Sequence, residues 1–352
     1  MSILDDVAEI ARIDRGGMHE HMLGFPNHLF EALEIGRSAD LRVRGDDVRS
    51  VVVLGMGGSA IGGELASGLL AGEIRVPMEV VRGYDVPAYV SSNTLALVSS
   101  YSGNTEETLS AYEQATQRGA KVVCTTSGGR VRELASERGH DVITIPGGLP
   151  PRAALAFSLV PMLVTLSRLG LAEDPTGQVE DAVDACRENV ARCSLEVPEP
   201  DNPAKQVAGW LHGHIPVVYG SAPRTGVVAT RWAGQLSENS KTVAHVNVLP
   251  EMNHNEIVGW SGAEPLVGRA RVVFLRDSED SDRIARRIDI TYDEVTASGC
   301  EARSIESFGA TRLGRMLSLV SVGDFVSLYL ACLYGVDPTP VAPIDRLKKA
   351  LS

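Results

Sequence analysis

The chain has 352 residues, of which 44% are apolar, and a formal charge of −12 at pH 7. That length allows two domains with real cores, while the acidic balance argues against nucleic acid, whose capture relies on many Lys and Arg contacts to phosphates. The five cysteines at 124, 186, 193, 300 and 332 are odd in number and contain no CxxC pair, which predicts buried free thiols and neither a disulfide framework nor a zinc knuckle. No run approaches the ~20 uninterrupted apolar residues of a membrane span, and the opening stretch MSILDD lacks the basic start of a secretory signal. The expected compartment is therefore the cytoplasm, with no membrane partner.

Residues 1–45 read as a helical lead-in, with apolar spacing at Leu4, Val7 and Ile10 and again at Leu29, Leu33 and Ile35, the two parts separated by Gly24, Phe25 and Pro26. Over 46–195 short apolar runs at 51–54, 78–81, 95–98, 121–124 and 141–145 alternate with helical segments, and helices follow over 151–194. Such alternation predicts a parallel sheet covered on both faces. Pro198, Pro200 and Pro203 make 196–203 the best linker candidate. The pattern then returns over 204–352, with runs at 215–219, 242–248, 270–275 and 301–305. The fold class is thus α/β: two doubly wound parallel-sheet halves in tandem behind the helical lead-in. The mixed-charge stretch within 261–300 reads as a solvated connection and helix.

Two loops carry the chemistry. In "LGMGGSAIGGELA", residues 54–66, glycines sit where a strand turns into a helix, so that backbone N–H groups can approach a ligand and the helix N-terminus favours an anion. The stretch lacks both the GK[ST] of a Walker loop and a closing acid about 20 residues on, where Val80, Val81 and Arg82 stand, so it matches a dinucleotide fingerprint poorly. In "SSYSGNTEET", residues 99–108, hydroxyls crowd the end of the third strand. Ser59, Ser100, Ser102 and Thr105 can converge on one anion if both loops stand at strand carboxyl ends beside a topological switch point. The second loop also reads as a plain helix cap, with Asn104 or Thr105 capping and Glu106 and Glu107 in the first turn. The two readings are compatible.

The pair "GMGGSAIGG" and "SYSGNTEET" resembles the sugar isomerase (SIS) domain, and "WAGQLSENSKTVAHVNVLPEMNHNEIVGW", residues 232–260, resembles the bifunctional phosphoglucose/phosphomannose isomerase family. The likeness extends to "GFPNHLFEAL" near the start and "DPTPVAPIDRLKKAL" at the end. It implies two SIS domains in tandem and a homodimer with active sites between subunits. It also implies a sugar-phosphate substrate, aldose-ketose isomerisation, and no cofactor or metal. Residue by residue, the resemblance places the phosphate cup at Ser59, Ser100, Ser102 and Thr105, and the catalytic base at Glu238. The ring-opening histidine falls on His254, donated by the neighbouring subunit, and the terminal lysine on Lys348, with Lys349 beside it. An enediolate-steadying arginine falls on Arg152, and a residue bearing on mannose specificity on Thr339.

The implied reaction suits these residue types. An ionised carboxylate can carry one proton between adjacent carbons, a histidine and a lysine can open the ring, and a cation can steady an enediolate. Other readings stay open: a non-catalytic SIS protein that senses a phosphosugar, an isomerase for another phosphosugar, and a dehydrogenase. His19 with His21, and His212 with His214, invite a zinc reading, though neither pair has a third ligand at a supporting spacing. Trp210, Trp232 and Trp260 read as packing residues.

Overall fold

The structure, a computed structural model, describes residues 2–351 and divides into two compact units. One comprises Phe25–Asp184 with Thr311–Leu313. The other comprises the residues up to Gly24, Ala185–Ala310 and the chain from Gly314 onward.

In the first unit, β1 (Ser50–Leu54), β2 (Met78–Val81), β3 (Thr94–Ser99), β4 (Lys121–Thr126) and β5 (Asp141–Thr144) form a sheet in the order β2-β1-β3-β4-β5. Every pairing is parallel. Strands β1 and β3 are buried almost throughout, as a sheet covered on both faces requires. The covering helices include α3 (Gly57–Leu70), α4 (Glu106–Gln117), α5 (Gly129–Arg138) and α6 (Leu155–Arg168). One core joins Val52, Leu54, Ala96, Val98, Val122 and Cys124 to Ala111, Tyr112 and Ala115 of α4 and Val131 and Leu134 of α5. The strand order reverses between β1 and β3, so a crevice opens at their carboxyl ends.

The second unit repeats the plan with β6 (Ile215–Ser221), β7 (His245–Leu249), β8 (Ala270–Arg276) and β9 (Glu301–Glu306), parallel in the order β7-β6-β8-β9. Helices α9 (Thr225–Ser240), α10 (Asp282–Ala297) and α11 (Arg312–Leu333, its residues from Gly314) pack within it, and α12 (Ala342–Leu351) ends the described chain. Its core gathers Val217, Tyr219, Val272 and Phe274 with Met252 and Trp260 and with Ile288 and Val295 of α10. The segment 261–300 is in part this structure: β8 contributes buried Val272, Val273 and Leu275, and α10 follows it as expected.

Helix α11 is long and apolar enough to span a membrane by composition alone, but 94% of its apolar window is buried inside the fold. It also carries buried Arg315 and Asp324, charges suited to a core helix with polar partners. All five cysteines are buried and unpaired. Burial pushes the Cys193 thiol up to about 11 and those of Cys124 and Cys332 up to about 12.

Two sequence expectations need correction. The lead-in is not broken at Gly24 to Pro26: after α1 (Val7–Ile13), α2 (Met18–Ser38) runs through Pro26. Packing of Phe25, Leu29, Ala32 and Leu33, all buried, outweighs the hydrogen bond that proline removes. Residues 39–49 then carry no helix. The proline-rich stretch 196–203 is a packed turn: the fully buried Lys205 ammonium donates to the carbonyls of Leu195 (2.9 Å) and Val197 (2.7 Å) and pairs with Asp5 at 3.1 Å. Asn202 caps α8 (Pro203–Leu211) through the amides of Ala204 and Lys205. The chain passes between the two units within α2 after Gly24, within α7 (Thr176–Cys193) after Asp184, and on either side of Thr311–Leu313.

Candidate functional site

Strands β1 and β3 pair with Leu54 opposite Val98, so the turn after each emerges beside the other. The Tyr101 amide donates to the Ser59 hydroxyl oxygen at 3.3 Å, tying the second loop to the first turn of α3. Gly103 stands at φ +69°, and an added Cβ would lie 1.8 Å from the Gly128 carbonyl oxygen, so no other residue fits this bend without displacing the β4–α5 turn. The bend turns the chain into α4, whose N-cap is Thr105.

The hydroxyls of this crevice are left with protons to give. Ser59 uses its oxygen as the acceptor for Tyr101, and Ser102 accepts from the Asn104 amide at 3.3 Å, so both O–H groups remain donors. The Thr105 side chain makes no capping bond. Ser100 is 2% exposed, and its Oγ is buried with no hydrogen-bond partner. A buried unsatisfied hydroxyl costs about 1–3 kcal/mol, a cost offset when a ligand accepts its proton. Two helix N-termini, of α3 and α4, stand beside these groups, the usual backbone setting for an anion.

Arg152 lies on a 3-10 turn, Pro151–Ala153, and is 4% exposed. The turn is brought against α3 by Gly58, where a Cβ would meet the Pro151 carbonyl oxygen at 2.7 Å. The first unit thus holds the four hydroxyls and a buried guanidinium around one loop pair.

The second unit carries the other predicted residues. Glu238 stands half-buried near the end of α9. That helix is anchored to α11 by an ion pair from Arg231 to Asp324 (2.7 Å) and by bonds from Gln235 to Asp324 (2.8 Å) and from Asn239 to Ser327 (2.9 Å). Burial raises the Asp324 carboxyl above its ordinary value, although Arg231 and Gln235 pull it down. Helix α9 ends at Lys241, the one non-glycine residue with positive φ among the described residues, at +58°. Its ammonium donates to the carbonyls of Glu238 (2.6 Å), Pro338 (3.1 Å) and Pro340 (2.8 Å). Thr339, between those prolines, lies against Gly16, where a Cβ would collide with the threonine side chain at 2.2 Å.

The stretch Asn253 to Glu256 divides into anchors and one outward residue. Asn253 donates to Thr291 (2.8 Å) and accepts from Arg287 (3.2 Å), and Asn255 caps the amide of Glu256. The Glu256 carboxylate receives Tyr219 and Asn247 and, at 2.9 Å, His245. Burial pushes this carboxyl up, but those donors together hold it below the usual value. His254 is exposed at the end of the 3-10 turn Glu251–His254. Lys348 and Lys349 both lie in the exposed α12.

Lys241 and Glu256 had no role in the sequence reading, although both lie in or beside its quoted motifs. Their bonding partners, among them Pro338 and Pro340 for Lys241 and Tyr219 for Glu256, reveal them. The paired histidines do not converge: His19 and His21 stand two apart on α2, where side chains diverge, and His214 bonds the His212 carbonyl at 2.8 Å.

At the matching switch point of the second sheet the loops carry carboxylates bonded to their own side chains. Ser221, at the end of β6, donates to Asp280 at 2.8 Å, and Asp277, just past β8, pairs with Arg315 at 2.7 Å and with Arg224 at 3.5 Å.

Residues 200–351 match the family described as bacterial phospho-glucose isomerase C-terminal SIS domain. The chain is 46% identical over 335 residues to a bifunctional phosphoglucose/phosphomannose isomerase from Caldicellulosiruptor bescii, covering 95% of this chain and 99% of that one. It is 40% identical over 304 residues to the protein of the same name from Aquifex aeolicus, covering 86% and 90%. Among solved structures, a hypothetical protein from Thermus thermophilus superposes with a TM-score of 0.76 at 16% identity, covering 98% of this chain and 92% of that one, a likeness of fold.

Proposed function

Since the chain belongs to the bifunctional phosphoglucose/phosphomannose isomerase family, we propose that it interconverts glucose 6-phosphate and mannose 6-phosphate with fructose 6-phosphate through a cis-enediol. The observation that carries the phosphate end of this reading is the cup of hydroxyls, above all the buried Ser100 Oγ that has no partner of its own. In this assignment Ser59, Ser100, Ser102 and Thr105 donate to the phosphate, each bond contributing about 1.5–3 kcal/mol when it reaches a charged acceptor. The two helix N-termini add their partial positive charge.

With the phosphate held, ring opening needs a proton delivered to the ring oxygen and one taken from the hydroxyl on C1. We assign these transfers to His254 and Lys348. Glu238 then takes the proton from C2 and returns it to C1, while the proton on the C2 hydroxyl passes to the C1 oxygen and the electron pair moves through the enediol, so that the aldehyde becomes a hydroxymethyl group and C2 becomes the ketone. Atoms and electrons balance with no external oxidant or reductant. Arg152 stabilises the negative charge that appears on the enediolate oxygens. His254 is exposed and its side chain makes no hydrogen bond to the described residues of its own chain, which supports the assignment of this residue to the site of a second copy in a homodimer. Thr339 is assigned to the choice between the two aldoses.

A coupled assay for fructose 6-phosphate from each aldose, with EDTA present, tests this reading against its rivals. We expect turnover of both sugars by the wild type and none by Glu238→Gln. A wild-type protein that binds the sugars yet converts neither is a phosphosugar sensor, or acts on another phosphosugar.

A further inference from the structure

We infer that Lys241 is a positioning residue, a clip that fixes the base-bearing end of α9 to the segment carrying Thr339; the inference rests on the roles proposed for Glu238 and Thr339. Three observations converge on it. The first is conformational: Lys241 alone among the described non-glycine residues holds a left-handed backbone, at φ +58°. A residue with a Cβ is strained in that conformation relative to the right-handed one, and glycine or asparagine would hold the same helix end with less strain.

The second observation is what the strain accomplishes. With the Thr242 amide turned back to the Leu236 carbonyl at 3.1 Å, the side chain leaves the helix end toward the 338–340 segment. The ammonium donates to the carbonyls of Glu238, Pro338 and Pro340. A lysine in the last turn of a helix is often explained by the helix dipole. That explanation accounts for the bond to Glu238 but not for the two to the distant prolines.

The third lies in the segment that is clipped. Pro338 and Pro340 have no N–H, and the Thr339 amide is engaged by Asp337 at 3.0 Å. The backbone from 338 to 340 therefore offers no free amide, and its main-chain bonding capacity lies in its carbonyls. Lys241 takes two of them. The same ammonium thus sets the carbonyl of Glu238 and both neighbours of Thr339, so the base and the specificity residue share one support.

Lys241→Met keeps the aliphatic stem and removes the donors; Lys241→Asn keeps tolerance for the left-handed backbone and removes the reach. Both are compared with wild type and Glu238→Gln by melting temperature and by kcat and KM on each aldose. We expect both folded Lys241 variants to lose about tenfold to a hundredfold in kcat, the scale of a small misplacement of a catalytic group. KM, governed by the phosphate cup, should stay within about threefold. The ratio of glucose to mannose turnover should also shift, because Thr339 is released with the base. A lowered melting temperature with unchanged kcat and ratio marks Lys241 as a stability residue and overturns the inference. If Glu238→Gln is inactive while both variants match wild type, the clip alone is wrong. If Glu238→Gln still turns over, the base assignment falls and the clip falls with it.

Discussion

The hydroxyl of Ser100 and the carboxylate of Glu238 separate binding from chemistry. Ser100 Oγ is buried without a partner, so Ser100→Ala removes an unsatisfied group from the ligand-free protein. Its melting temperature should stay level or rise, while KM for either aldose rises about tenfold to a hundredfold through the lost bond to phosphate. A thermal scan beside steady-state kinetics reads both effects, and a destabilised variant with unchanged KM would remove Ser100 from the cup. Glu238→Gln should do the reverse: kcat falls at least about a hundredfold, the range for a positioned base, with KM nearly unchanged. Ser100 could be picked out from hydroxyls clustered at a strand end, whereas Glu238 stands out from the chain's other carboxylates only through the resemblance of the motif around it. Lys241 could not be picked out, since its meaning lies in carbonyls almost a hundred residues away.

At the scale of elements, the turn that bears His254 is held by a carboxylate. Glu256 accepts from Tyr219 on β6 and from His245 and Asn247 on β7, so the 3-10 turns after β7 are fastened to two strands. Its folded-state pKa lies below the ordinary 4.5. The folded protein therefore binds fewer protons at this site than the unfolded chain, and the stabilisation is present above pH 4.5 and lost as pH falls through the depressed value. Glu256→Gln should flatten that part of the acid limb in urea titrations carried below pH 4.5, and hydrogen exchange should locate the change at 251–262. An acid limb identical to wild type would show that the turn does not depend on this charge. The strands themselves were legible from apolar runs, each recovered within a few residues. Helix α2 was misread because a proline in sequence signals a break, whereas the burial of Phe25, Leu29 and Leu33 is a tertiary effect. The packed turn at 196–203 escaped for the same reason, as its order comes from a buried lysine.

Across the whole molecule, two sheets of the same plan end in opposite ways. The first carries neutral hydroxyl donors at its switch point, with no carboxylate of the described residues bonded to them; in the second, Asp277 and Asp280 stand among Ser221, Arg224 and Arg315, so that negative charge already neighbours the donors there. Calorimetric titration with a non-reacting sugar phosphate should therefore give one site per chain, abolished together by Ser59→Ala and Ser102→Ala. A second site that survives those changes would mean that the carboxylates yield to the ligand. The sequence showed that the halves share a pattern, but it could not show that only the second has carboxylates paired at its switch point, since those ion pairs join residues far apart in the chain. The buried cysteines bear on endurance as well as packing. With every sulfur enclosed and those at 124, 193 and 332 reluctant to ionise, alkylating agents and peroxide find almost no thiolate to attack. Native protein treated with iodoacetamide should remain unlabelled and fully active, so that sugar-phosphate flux through this catalyst continues when the redox state around it swings.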